Sequence, residues 1–165
     1  MKKIKTWLFT ALFKISNQPI LLRDLLEANA LFNEGMLVDP SKLNYKFKFF
    51  SSYLVYFALC AIVLLPLLAI THYFFTKIDF HLSIISTVAV TACVFIFYDI
   101  FKIYTRKLIS KELIQKAWKL HFPFFPYEKY SKIVENIYNE ALKKEIPKTS
   151  LEAYILEQII KFKDN

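Results

Sequence analysis

The chain has 165 residues, 56% of them hydrophobic and only one a glycine, a composition that a small soluble domain could not hide in its own interior. Its formal net charge is +8, with 8 basic and 4 acidic groups over residues 1–48, 13 and 9 over residues 99–165, and only Lys77 and Asp79 between the apolar runs. Charge that flanks an apolar block reads as topogenic; nucleic-acid binding is not expected, because that would gather the charge on one face.

At the start of the chain, Ile4, Trp7, Leu8, Ala11, Leu12 and Ile15 recur at helical spacing, with Lys2, Lys3, Lys5 and Lys14 mostly on other faces. This is the pattern of a basic amphipathic helix, either lying on an anionic membrane or packed into a small bundle. A cleaved signal peptide fits poorly, since Lys14 interrupts the apolar stretch and no small-x-small site follows. Ser16 or Asn17 can cap a second helix with Pro19 in its first turn, carrying Leu21, Leu22, Leu25, Leu26, Ala28 and Phe32 as a stripe. Gly35, the only glycine, reads as its stop, so residues 1–35 form a cytoplasmic pair of amphipathic helices.

From Phe49 to Thr76 there are 28 consecutive uncharged residues, and Phe80 to Tyr98 add 19 more before Asp99. The first run is roughly 42 Å long as a helix, more than the ~30 Å hydrocarbon core, and the second also suffices. They predict transmembrane helices over 49–75 and 80–101, joined by a short loop and therefore antiparallel. Lys42, Lys46 and Lys48 precede the first span and Lys102, Arg106, Lys107 and Lys111 follow the second, which places both termini in the cytoplasm and the loop outside. Tyr45, Tyr53, Tyr73, Tyr98 and Tyr104 fall near the expected interfaces, as amphipathic rings should. Pro66 predicts a bend in the first span.

Ser83, Thr87 and Thr91 form a small polar stripe on the second span, and Ala58 and Ala61 offer small positions on the first. Close helix packing between these two faces is expected. Cys60 and Cys93 lie inside apolar runs and read as packing residues.

Residues 102–165 form the second cytoplasmic region. Helical periodicity continues through Leu108, Ile109, Leu113, Ala117 and Trp118, then breaks at His121-Phe122-Pro123-Phe124-Phe125-Pro126. A further amphipathic helix carries Tyr130, Ile133, Val134, Ile137 and Tyr138 on one face, expected to meet a protein partner, and a short terminal helix follows.

The glycines of phosphate loops and dinucleotide fingerprints are missing, as are zinc-protease and nucleophile-elbow motifs, and His72, His81 and His121 are too loosely spaced for a metal site. The expectation is an all-α integral membrane protein of the cytoplasmic (inner) membrane: a two-helix hairpin with amphipathic helices before and after it, using no cofactor or metal. Its expected role is that of a non-enzymatic accessory, adaptor or assembly protein, with the lipid bilayer and a protein partner or a second copy as its contacts. The order of elements resembles, in topology, that of large-conductance mechanosensitive channels. That resemblance implies a homo-oligomeric or holin-like pore as the competing reading, although neither span carries the glycines that let pore helices approach closely.

Overall fold

The computed structural model describes the backbone of residues 2–78 and 80–164, and the side chains among these except at 2–4, 78, 80, 83, 163 and 164. Among the described residues, six helices and two short strands follow in the order α1 (Lys2–Leu12), β1 (Phe13–Ile15), α2 (Leu22–Asn33), β2 (Tyr45–Phe47), α3 (Phe49–Ile78), α4 (Phe80–His121), α5 (Tyr127–Lys143) and α6 (Leu151–Asp164). The fold is all-α, with the long apolar helices α3 and α4 forming a hairpin flanked by shorter helices. The chain divides into two compact units, each drawn from two stretches: residues 1–14 with 47–105, and residues 15–46 with 106–165. This departs from a single N-terminal region over 1–35, because α1 belongs with the hairpin and α2 with the C-terminal helices.

In the first unit, α1 packs on α3. Phe9, Leu12 and Phe13 are buried there, whereas Trp7 points outward at 62% exposure. The helical periodicity that extends to Ile15 in the sequence stops at Leu12, where the chain turns into β1. The β1–β2 pair is antiparallel, flanked by the Lys48 N–H donating to the Leu12 carbonyl and the Ser16 N–H to the Asn44 carbonyl, both at 2.8 Å. Rings of Phe13, Phe47 and Phe49 follow one another at 5.5 and 5.2 Å. The Lys48 ammonium donates to the Thr10 carbonyl at 2.8 Å, meeting a free acceptor in the last turn of α1.

The hairpin connection is tighter than the sequence suggests. α3 continues to Ile78 and α4 begins at Phe80, while Asp79 lies outside the described residues. α3 is continuous through Pro66, whose missing N–H interrupts one rung of the ladder without ending the helix.

The second unit is a packed helical body. α2 lies on α5 and α5 on α6, around a core that includes Leu25, Leu26, Ile114, Trp118, Val134, Ile155 and Ile159. α2 starts at Leu22, later than Pro19 at N1 would require, because the Ser16 hydroxyl accepts from the Gln18 N–H and holds a turn in place of a cap. It ends as expected at Gly35, whose φ of 80° suits the left-handed position. Gly35 N–H donates to the Phe32 carbonyl and Met36 N–H to the Leu31 carbonyl, the paired bonds of a Schellman stop. α5 ends in the same way with Glu145 at φ 52°, its N–H on the Leu142 carbonyl and that of Ile146 on Ala141.

Candidate interaction surfaces

Each long helix passes the length and apolarity test for a membrane crossing, over Phe49–Lys77 and Ile84–His121, and only 6% of each apolar window is buried. Most faces of these two helices are therefore uncovered within this chain, unlike the core helix of a soluble domain. α4 carries its apolar first half in the first unit and continues without a break into the second.

The contact between α3 and α4 runs along a line of tyrosines. The Tyr98 hydroxyl lies 2.7 Å from that of Ser52, which itself donates to the Phe49 carbonyl at 2.7 Å. Tyr53 and Tyr98 stack at 4.3 Å with planes 15° apart, Tyr56 meets the Tyr98 edge at 5.3 Å, and the Tyr56 hydroxyl donates to the Val94 carbonyl at 2.7 Å. The more covered positions of α4 are Ser86, Val90, Val94 and Tyr98, so the seam is turned away from the hydroxyl stripe. Thr87 and Thr91 are exposed, as are Ala58 and Ala61 on α3, and the Ser83 side chain lies outside the described residues. The Thr91 hydroxyl bonds back to the Thr87 carbonyl at 2.8 Å, which satisfies it within its own helix and removes the need for a partner across the hairpin.

Beyond this tyrosine layer the helices stand apart. They leave a cleft of about 460 Å³ lined by Tyr56, Leu59, Cys60, Val63, Leu64, Ala89, Val90, Cys93, Val94 and Phe97. Both cysteines are therefore on its walls, Cys60 half-buried and Cys93 exposed.

In the second unit the stripe expected to meet a partner turns inward. Tyr130, Val134, Ile137 and Tyr138 are all buried, Val134 completely, and only Ile133 is partly open. Their complement lies within the same chain: the stripe on α2, and Leu151, Ile155 and Ile159 on α6. Two polar bonds fix the register. Asn29, fully buried, donates through Nδ2 to the Ser131 carbonyl at 2.8 Å, and Asn33 donates to the Glu135 carboxylate at 2.9 Å. The bonds repeat at a spacing of four on both helices, but the Ser131 acceptor is main-chain, so the sequence signal for this contact is Asn29, Asn33 and Glu135 alone. Burial raises the pKa of the Tyr138 phenol, helped by the Glu27 carboxylate. Its un-ionised form therefore stabilises the unit up to the ordinary tyrosine range, and that contribution fades as pH rises through the raised value.

At the unit's edge, the Lys42 ammonium bridges Glu27 at 2.8 Å and Asp24 at 3.6 Å, and the hydrogen bond it donates to the Glu27 carboxylate raises its pKa. These groups are partly solvated, so the network contributes little to stability. The Ser41 N–H donates to Asp39 at 2.9 Å and is the main reason its carboxyl titrates below the usual range. His121 reaches the Ile20 carbonyl through Nε2 at 2.8 Å, a tie between α4 and the loop before α2.

The surface that remains open on the C-terminal helices is a groove of about 330 Å³ between α5 and α6. Ile133, Asn136, Ile137 and Glu140 line it from one side, and Gln158, Lys161 and Phe162 from the other. Phe162 is 54% exposed at its wall, and the apolar Leu142 and Ile160 are also open on these helices. No family model, curated protein or solved structure matches this chain.

Proposed function

We propose that this protein is a membrane-anchored, non-enzymatic adaptor or assembly factor. In this reading α3 and α4 cross the cytoplasmic membrane with both termini in the cytoplasm, and the second unit presents the α5–α6 groove to a protein partner. The groove is the observation that carries the reading. An apolar floor from Ile133 and Ile137, an exposed aromatic wall at Phe162 and a polar rim of Glu140 and Lys161 match what the apolar face of an amphipathic helix requires. The crossing itself is supported by two helices whose apolar faces are left uncovered, and the orientation by the basic residues that flank them.

A photo-crosslinking residue at Asn136 in the full chain, expressed in its own membrane, tests the groove. The expected result is a discrete adduct that Phe162→Asp removes while insertion is unchanged. An adduct pattern indifferent to Phe162→Asp would reject the groove as the contact. The outward-facing Thr87 and Thr91 favour the second reading, a pore formed by several copies, and adducts only to the chain itself together with a raised membrane permeability would replace the adaptor by that pore.

Orientation has its own expected result. With Cys60 and Cys93 changed to serine, a cysteine at Thr76 reacts with an impermeant thiol reagent added outside intact cells, and one at Lys148 reacts only after the cells are opened. Labelling of the Lys148 position from outside would overturn the orientation.

A further inference from the structure

We infer that α1 docks on the headgroups of anionic phospholipid in the leaflet where α3 enters the membrane. The inference rests on the membrane reading of the hairpin and adds to it a lipid class and the residues that recognise it. Two bonds from Lys48, the residue before α3, fix the place of α1: its N–H donates to the Leu12 carbonyl and its ammonium to the Thr10 carbonyl, each at 2.8 Å. The helix is thereby held at the level where the first apolar crossing begins, with Phe9 and Leu12 turned inward and buried. Trp7 is turned the other way and is 62% exposed. Lys3 stands one helical turn before it, and Lys5 and Lys14, both exposed, lie on either side of it in the sequence.

Charge selects the occupant. No carboxylate occurs from Met1 to Arg23. At the end of the first unit where α1 sits, Lys2, Lys3, Lys5, Lys14, Lys48 and Lys102 stand against Asp99 alone, and Asp99 is held by Lys102 at 2.6 Å. A tryptophan beside lysines at the start of a crossing seats its ring among headgroups and the ammonium groups on their phosphates. An acidic protein satisfies the charge but not the position. Phe49 and Phe50 in the first turn of α3 are 62% and 77% exposed, so the medium beside α1 at this level is the one that covers them, which on the membrane reading is lipid. Because Phe9 and Leu12 are spent on the unit's own core, the docking depends on charge more than on burying an apolar face, and it is therefore sensitive to salt.

The test uses the full chain in vesicles of mixed phosphatidylcholine and phosphatidylglycerol, in which one lipid or the other carries a nitroxide high on its acyl chain. The emission of Trp7 is the difference between the native chain and Trp7→Phe in the same vesicles, which subtracts that of Trp118. Labelled phosphatidylglycerol is expected to quench it several-fold more than labelled phosphatidylcholine, since each lysine near an anionic surface is worth roughly fivefold in binding. High salt should bring the two lipids together, and so should a chain in which Lys2, Lys3, Lys5 and Lys14 are all changed to glutamine. Equal quenching by the two lipids in the native chain at low salt, or quenching by neither, overturns the proposal without needing the variant. A preference that both high salt and loss of the lysines leave unchanged also overturns it. A photo-crosslinking residue in place of Trp7, used in the protein's own membrane, should give lipid adducts; adducts to a protein instead assign this face to that partner and reject the lipid. Resistance of the chain to alkaline carbonate extraction is measured in parallel. Loss of the whole protein to the carbonate wash rejects the membrane reading and the docking of α1 together, whereas resistance with equal quenching rejects the docking alone.

Discussion

Val134→Glu is expected to unfold the second unit, because Val134 has no exposed surface and sits where α5 meets its neighbours. A carboxylate there has to be buried unpaired, to take up a proton or to pry the helices apart, and each route costs several kcal/mol. A helical body of this size holds on the order of 5–10 kcal/mol in all, so one such change removes much of its stability. The measurement is limited proteolysis of the detergent-solubilised full chain, with a thermal melt followed by circular dichroism. Sites in residues 106–165 should become sensitive while the apolar helices stay protected. Lys132→Glu, a change at an exposed neighbour on the same helix, should leave both readouts within error. Should Val134→Glu be as well tolerated as Lys132→Glu, the α5 stripe would be a surface open to partners.

That alternative shows where sequence reading stops. The period of Tyr130, Val134, Ile137 and Tyr138 says that one face of a helix leaves water, and it is the same whether the covering surface lies in this chain or another. Only the pairing of α5 with α2 and α6 distinguishes the two, and its trace in the sequence is slight: Asn29 and Asn33 on one helix and Glu135 on the other, since the acceptor at Ser131 is main-chain. The two apolar helices were legible for the opposite reason. Length and lack of charge are properties of a single segment, so Phe49–Ile78 and the start of α4 need no knowledge of neighbours. Gly35 and the proline-rich turn after His121 were legible too, since each acts on its own backbone.

The seam between α3 and α4 was misplaced by a rule applied in the wrong setting. Small residues and hydroxyls mark close helix packing when backbones approach each other, and the stripe at Thr87 and Thr91 fits that rule. Here the helices are spaced by aromatic rings, so the residues assigned from sequence to the membrane interface, Tyr53 and Tyr98, are the ones that meet. Strands β1 and β2 were hidden because three residues each are too few to show a period of two, and Ile15 continues the helical pattern of α1 by coincidence.

Trp118→Ala should be the most damaging truncation in the second unit. The indole is 1% exposed, lies 4.7 Å from the Phe122 ring and 5.3 Å from that of Tyr127, and donates through Nε1 to the Phe125 carbonyl at 2.7 Å. Trp118 thus ties the last turn of α4 to the segment that leads into α5, where Pro123 and Pro126 prevent helical bonds from doing so. Truncation removes a large buried side chain, at about 3–5 kcal/mol, and leaves the Phe125 carbonyl without its donor, at about 1–3 kcal/mol more. Trp118→Phe keeps most of the packing and loses the donor, so it should fall between the native chain and Trp118→Ala. Denaturant melts in mild detergent, in a Trp7→Phe background for the fluorescent native chain and by circular dichroism for the variants, give the three midpoints. The ordering native, Trp118→Phe, Trp118→Ala is required if the hydrogen bond and the packing both hold the turn. A Trp118→Phe midpoint equal to the native one would mean that ring packing alone closes the path from α4 to α5.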